Sequence, residues 1–298
     1  MAAVTTTAPT DTARQRRRRG RATRFTPGVI LSYIGVVLYA LTLILPLYWL
    51  LISSFKSTLE TLAEPFVPGF SAGVSHFTDV WNRLELGTAL LNSLYITTAS
   101  LVLTLVAAVP ASFALARSRG RIATVFERIY ALGFLIPGFA ALVPTLLLAI
   151  KMEMFYTREF MIIYFPATAQ PLAVILLTQF MRTVPQELEE SATIDGAGRF
   201  RIMRSVYLPL TVPGIATVAI LNFIGFWNDY LYTLIIVGLD PALRTVQVAL
   251  PTLQGERGVT DYALICAGTV IAVAPVFLVY AVLNRRMENA LVQGALKG

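Results

Sequence analysis

From Thr26 to Phe55 the chain runs without one charged residue. Similar apolar stretches recur near 90–114, 129–150, 160–181, 206–236 and 262–284, the first being centred on 29–52. About 20 residues at 1.5 Å rise cross the roughly 30 Å of bilayer hydrocarbon, so each of these is long enough to span. Hydrocarbon offers no partner to a peptide N–H or C=O, which leaves the helix as the form an apolar run of this length adopts. Hydrophobic residues make up 56% of the chain and charged ones 14%, with mean hydropathy +0.68, too few charges to cover a soluble surface of this size. The expected fold is all-α: a polytopic membrane protein with six transmembrane helices.

Six spans place both termini on one side, and Lys and Arg in short flanking segments decide which. Seven arginines precede the first span, four basic residues lie in 117–128, four in 182–204 and three after 284, whereas the remaining three loops share six: Lys56, Arg83, Lys151, Arg158, Arg244 and Arg257. Both termini are therefore expected in the cytoplasm, with 53–89, 151–159 and 237–261 outside. The expected organisation is a cytoplasmic arginine-rich tail at 1–27, a six-helix domain at 28–284 and a cytoplasmic tail at 285–298. The tract Thr12–Phe25 precedes an apolar run too long for a signal peptide and has no folded basic domain beside it, so contact with anionic lipid headgroups is its expected role.

Cys266 is the single cysteine, which rules out a disulfide within the chain and a cysteine metal cluster. His76, the single histidine, is expected to be a solvated loop residue rather than a metal ligand.

The longest polar stretch of the second half, "PQELEESATIDGAGRFRIMRSVYLPL" from Pro185 to Leu210, lies between spans four and five. Its polarity excludes burial in lipid and its length excludes a domain, so a small docking element is expected. Pro185 suits the first turn of a helix, with Glu187 and Glu189 near the positive end of its dipole. Asp195-Gly196 reads as a stop, and Gly196 with Gly198 as an elbow. Beyond it Phe200, Met203 and Tyr207 recur at helical spacing while Arg199, Arg201 and Arg204 point elsewhere. Small residues flanked by acids, as at Ser191 and Ala192, suit close seating in another protein's groove.

Glu190-Ser191-Ala192, three residues to Gly196, nine more to Val206, and then Leu208-Pro209 after one more, resembles the cytoplasmic "EAA" loop of binding-protein-dependent ABC importer permeases. Ser191 and Val206 depart from the family's Ala and Ile. With "FWNDYLYTLIIV" and the terminal "LVQGALKG", the chain is similar to the smaller membrane subunit of the maltose-type carbohydrate permeases. The resemblance implies a coupling loop at 183–205 that docks an ATPase through Glu190, Ser191, Ala192, Asp195, Gly196, Leu208 and Pro209. It also implies a homologous second permease, two ATPase subunits, an extracytoplasmic sugar-binding protein and a place in the bacterial cytoplasmic membrane. The tail Gln293–Gly298 would reach the ATPase or end free. Not an enzyme, the chain has no phosphate-binding Gly-x-x-x-x-Gly-Lys-Ser/Thr loop; it is expected to bind no cofactor, with ATP and Mg on the partner ATPases.

For the substrate path, Asp229 is the one carboxylate inside an expected span, and Asn222, Phe226 and Asp229 fall on one helix face at i, i+4 and i+7. Amide, aromatic and acid together suit a sugar, whose hydroxyls need donors and acceptors and whose C–H faces lie on rings. Trp227 and Asn228 belong to the same candidate path, against the alternative of an interfacial aromatic belt at Trp227 and Tyr230 with Asp229 facing water. Pro137 and Pro144 are the hinge candidates among the span prolines. The outer loop Gly238–Asp261 shows turn chemistry at Asp240-Pro241 and Gly255. An ABC permease for an amino acid, peptide or phosphate is the nearest alternative; a channel lacks use for the docking loop, and an intramembrane enzyme would need paired catalytic groups that the spans lack.

Overall fold

The structure, a computed structural model, describes residues 27–118, 120–254 and 260–295, with side chains described no further than residue 282. The arginine tract Thr12–Phe25, Gly255, Arg257 and the side chains of the tail Gln293–Gly298 lie outside what is described. The chain divides into two units, up to Trp49 and from Leu50 onward. The first is the apolar helix α1, Pro27–Ser53, which runs on into the start of the second unit.

In the second unit, α2 (Thr58–Ala63) and α3 (Ser75–Arg83) precede the long α4 (Leu86–Arg117). The helices α5 (Arg121–Phe134), α6 (Gly138–Lys151) and α7 (Arg158–Arg182) follow. Next come the short α8 (Gln186–Ile194) and α9 (Arg199–Ile202), a π turn over Met203–Tyr207, and α10 (Leu208–Leu210). The last third holds α11 (Val212–Trp227), α12 (Leu231–Ile236), α13 (Val246–Ala249) and α14 (Tyr262–Ala295). No strand occurs among the described residues.

Four helices are each long and apolar enough to span: α1, α4, α7 and α14. Two bent pairs bring the number to six, α5 with α6 and the segment Arg199–Leu210 with α11. The expected six are reached when each bent pair is counted as one span, and those two differ in form from the expectation. The third, expected as one stretch over 129–150, begins at Arg121 and turns by 95° between Phe134 and Gly138. Pro137 is the last residue before α6: it has no N–H to donate and it biases the residue before it away from helix, so the helix must restart. Of the two hinge candidates, Pro137 sits at the bend and Pro144 inside α6. The fifth, expected over 206–236, bends by 77° at Thr211, just before Pro213, and stops at Trp227. Asn228 turns its side-chain amide back to the Ile224 carbonyl, and Asp229 takes the Thr233 N–H, so both compete with the helical ladder and α12 starts separately.

The two long spans α4 and α7 form the spine of the second unit. The buried face of α4 is not its oiliest one. Ser93, Ile96, Thr97, Ser100, Thr104, Ala108 and Ser112 are buried, while Leu94, Val102, Leu103 and Val106 face outward. Between helices in a bilayer there is little hydrophobic drive, because lipid is as apolar as leucine; association rests on close packing of small residues and on hydrogen bonds between helices. Three such bonds cross the pair: Gln170 donates to the Thr104 carbonyl at 3.1 Å, Ser112 to the Val174 carbonyl at 3.3 Å and Arg158 to Asn92 Oδ1 at 2.7 Å. At one end Leu177, Met181, Ile202 and Tyr207 are buried together with Ala108 and Leu115. Toward the other, separate clusters gather around Trp227 with Leu86 and Leu264, and around Phe165 with Ile236.

The crossing of α7 and α11 is as tight. A Cβ on Gly214 would lie 2.6 Å from Phe180 Cδ2, whereas at Gly225, on the same helix, a Cβ meets nothing within 4 Å. Gly214→Val is expected to cost about 1–3 kcal/mol by overpacking and to lower the melting temperature in detergent. Gly225→Ala leaves it unchanged or higher, because alanine is the better helix former.

Candidate functional site

The polar stretch at the elbow end folds into two short helices joined by a glycine turn. Pro185 precedes α8 with φ −57° and ψ 137°, one position earlier than the first turn expected for it, and Glu187 and Glu189 occupy the first turn. Gly196 at φ +78° donates to the Thr193 carbonyl at 3.0 Å, and Ala197 donates to the Ala192 carbonyl at 2.9 Å. Those paired bonds are the Schellman closure of a helix end, which needs a left-handed residue at this position and so favours glycine. Gly198 has φ −72° and ψ 162°, extended backbone open to any residue, so the elbow depends on one glycine rather than two.

The expected docking residues divide by exposure. Glu190, Ser191, Asp195 and Pro209 are exposed, and Gln186 donates to Glu190 Oε1 at 2.9 Å. Ala192 and Leu208 are half-buried and pack onto the core, seating the elbow rather than facing outward. Ile194 and Phe200 stand 86% and 71% exposed on the free surface of the elbow. Grouping Phe200 with Met203 and Tyr207 therefore fails. The buried face is Ile202, Met203 and Tyr207 with half-buried Val206, and at 100° per residue Phe200 stands about 90° away from its centre.

Beneath α8 lies a group that sequence spacing does not reveal, because its members are up to 90 residues apart. Arg117, in the last turn of α4, reaches Glu189 with Nε to Oε2 at 3.1 Å and donates from Nη2 to the Val184 carbonyl at 2.6 Å. The Tyr207 hydroxyl donates to Glu189 Oε2 at 2.8 Å and accepts a hydrogen bond from Arg117 Nε. The Arg117 guanidinium carbon is 4.9 Å from the Tyr207 ring centre. A cavity of about 410 Å³ opens beside this group, lined by Ala116, Gln186, Glu190, Thr193 and Ile194 as well as Arg117 and Glu189.

The opposite end holds the residues expected along a path. Asn222 is buried and spends its side-chain N–H on the Val218 carbonyl. Phe226 stacks on Phe165 with ring centres 4.8 Å apart, while Tyr164 stacks on Tyr232 at 4.6 Å. Asp229 lies past the end of α11, so its expected i+7 place on the Asn222 face is lost; its Oδ1 accepts from the Thr233 N–H at 2.9 Å and hydroxyl at 2.8 Å. Asn228 is exposed, and its Oδ1 accepts from Gln247 at 3.1 Å. Trp227 departs from the group. It is 2% exposed, donates from Nε1 to the Ala272 carbonyl on α14 and packs in a different cluster from Phe226. Burial also removes it from an interfacial aromatic belt.

The following loop is more firmly held than its turn chemistry suggested. Asn92 donates to the Ala242 and Arg244 carbonyls at 3.0 and 3.1 Å and accepts from Arg158 at 2.7 Å. Arg244 is buried and donates to the Leu84 carbonyl, and Ser93 Oγ accepts from the Val246 N–H. A second stitched region surrounds Lys56, fully buried with Nζ donating to the Glu64 and Val67 carbonyls at 2.6 and 2.7 Å. His76, expected to be solvated, is half-buried, with Nε2 3.0 Å from the Lys56 carbonyl. Among the described residues no group of His, Cys, Asp and Glu could hold a metal.

Asp261 caps α14: its Oδ1 accepts from the Leu264 N–H at 3.0 Å and the Thr58 hydroxyl at 2.5 Å. Burial by itself would raise the carboxyl, but the Thr58 and backbone donors and the charge of His76 outweigh it and hold Asp261 below the ordinary carboxylate range. A depressed folded pKa means stabilisation that is full above the ordinary carboxylate range and lost as pH falls through the depressed value. Asp261→Ala is expected to cost about 1 kcal/mol near neutral pH. In detergent melting curves the difference from the wild type should shrink as the pH is taken below about 4.

Residues 108–292 match the family described as the binding-protein-dependent transport system inner membrane component. The chain is 32% identical over 274 residues to the diacetylchitobiose uptake system permease protein NgcG of Streptomyces coelicolor, covering 90% of this chain and 88% of that one. It is 29% identical over 256 residues to the melibiose/raffinose/stachyose import permease protein MelC of Bacillus subtilis, covering 85% and 91%. In fold it is similar to a chain in the crystal structure of a bacterial ABC transporter involved in the import of the acidic polysaccharide alginate. The TM-score there is 0.74 at 23% identity, with 89% of this chain and 98% of that chain covered.

Proposed function

This chain belongs to the binding-protein-dependent transport system inner membrane components, and from that premise we infer that it is a membrane permease subunit of an ABC importer that moves a sugar or oligosaccharide inward. The observation that carries this reading is the exposed elbow at Gly196, with its Schellman closure, set between two spans of a polytopic chain. The carbohydrate substrate follows from relatives named for diacetylchitobiose and for melibiose, raffinose and stachyose uptake.

The elbow end faces the cytoplasm on this reading, because the basic residues concentrate in the segments on that side of the spans. The membrane is the bacterial cytoplasmic membrane. There α8 docks in a groove of a partner ATPase, where Glu190 and Asp195 accept charge-assisted hydrogen bonds at the rim and Ser191, Ile194, Phe200 and Pro209 supply its contact surface. Ala192 and Leu208 hold the elbow to the body, so that α8 moves as a lever. A second, homologous permease completes the path, two ATPase subunits bind the ATP and Mg that drive the cycle, and an extracytoplasmic binding protein delivers the sugar. At the opposite end the exposed amide of Asn228, hydrogen-bonded to Gln247 and next to Asp229, is the polar surface offered to a sugar. Phe226 and Asn222 shape the wall behind it, and Trp227 anchors α11 to α14.

Gly196→Val places a β-branched residue at φ +78°, where even unbranched side chains are strained. The expected result is full insertion at normal membrane levels with oligosaccharide uptake abolished, read as labelled sugar accumulated by cells and as chain recovered in the membrane fraction. Normal uptake at normal levels would refute the docking role. Co-purification of the wild-type chain in mild detergent is expected to bring a second six-span permease and an ATPase; recovery of the chain alone would refute the importer reading itself.

A further inference from the structure

We propose that Arg117 is a positioning residue that transmits motion of the docking elbow into two membrane spans at once, acting through Glu189, Val184 and Tyr207. The proposal rests on the docking reading of α8 and goes beyond it, since Arg117 lies outside the elbow and on a different span.

Little apolar packing holds α8 to the body. Its outer surface carries Glu190 and Ile194, both exposed, and none of its residues is fully buried. The apolar packing it offers the body is Ala192, one methyl group that is itself only half-buried. Among the described residues, the Arg117–Glu189 pair is the ion pair that joins α8 to the rest of the fold; the other two link Arg83 with Asp79 and Arg182 with Glu127. A helix seated by so small an apolar contact would slide under load unless a directional contact fixed it.

Arg117 supplies that contact with three partners on three segments. The guanidinium meets Glu189 in the first turn of α8 at 3.1 Å and the Val184 carbonyl at the link from α7 at 2.6 Å. It also stands 4.9 Å from the ring centre of Tyr207, on the approach to the fifth span. Tyr207 closes the triangle by donating to Glu189 at 2.8 Å, and Phe113, one helical turn before Arg117, packs edge-on against the same ring at 4.8 Å. The Arg117 and Glu189 side chains keep 19% and 26% of their exposure, so solvent screens the pair weakly and a planar fork of donors sets its geometry. Displacement of α8 therefore pulls on α4 through Arg117 and on the fifth span through Tyr207.

The backbone at Tyr207 points the same way. Met203–Tyr207 is a π turn, a widened turn that is costly in a helix and concentrates at functional places. Here it sits between the elbow and the 77° bend, where the segment Arg199–Leu210 meets α11. Tyr207 is fully buried within it, so its ring cannot swing without moving the turn.

The test uses the complete importer reconstituted in liposomes: this chain with its second permease, its ATPase and its binding protein. Two quantities are read, ATP hydrolysed per sugar moved and retention of the ATPase during purification. Arg117→Met, which keeps an unbranched apolar stem, is expected to retain the ATPase and to raise ATP consumed per sugar by about tenfold, the scale expected when a coupling contact is lost. Arg117→Lys keeps the charge but loses the fork and is expected to fall between Arg117→Met and the wild type; Tyr207→Phe removes only the hydroxyl and is expected to raise the ratio by about threefold. Should Arg117→Met fail to fold, the two milder variants decide by the same ratio. Wild-type coupling in every folded variant overturns the proposal. So does loss of the ATPase from Arg117→Met, which would make Arg117 an assembly contact. A wild-type chain that retains no ATPase is a different failure, that of the docking reading on which the proposal stands.

Discussion

The close approach of α4 to α7 along a stripe of serine, threonine and alanine is the contact on which the rest of the structure depends. Small residues let the two backbones come near enough for Gln170 and Ser112 to bond across to main-chain carbonyls. Because lipid competes equally well for leucine, the larger apolar side chains of α4 are left facing outward. The pairing fixes both ends of the second unit. At one end Arg117, the last residue of α4, and Val184, just past the end of α7, meet under α8; at the other Asn92 and Arg158, near the starts of the two helices, meet over the loop at Ala242 and Arg244.

Broken helices do the remaining shaping. Pro137 and the Thr211–Pro213 region each interrupt a largely apolar span, and the chain turns by 95° and 77° at them. Tyr232 crosses from α12 to donate to the Gly138 carbonyl at 2.5 Å, which ties the second broken region to the first turn of α6.

Much of the elbow was legible before the fold was known. A short helix after Pro185, a stop at Asp195-Gly196 and an exposed acid at Glu190 are local matters of capping, dipole and polarity, and the structure has them. The second helix was read less well, because an amphipathic pattern of three residues does not say on which side its centre lies; Ile202 moved that centre and left Phe200 outside. Of the path residues, Trp227 was misplaced for a related reason. A tryptophan near the end of an apolar run suits an interface, a path or a helix crossing equally, and only its contact with Ala272 distinguishes them. The burial of Lys56 and Arg244 and the half-burial of His76 are not legible in the sequence, since only the fold places the main-chain carbonyls to which each of them donates.

By itself the sequence determined that the chain carries several apolar helices long enough to cross a membrane, and where a polar elbow would interrupt them. Those properties follow from the hydration of peptide groups and charges, which each short segment carries on its own. Only the tertiary structure decided which face of α4 is buried, where two spans bend, and that Arg117, Glu189 and Tyr207 come together. These outcomes depend on which helices approach closely enough to touch, and that is settled by packing among segments as much as 153 residues apart rather than by the preference of any one of them.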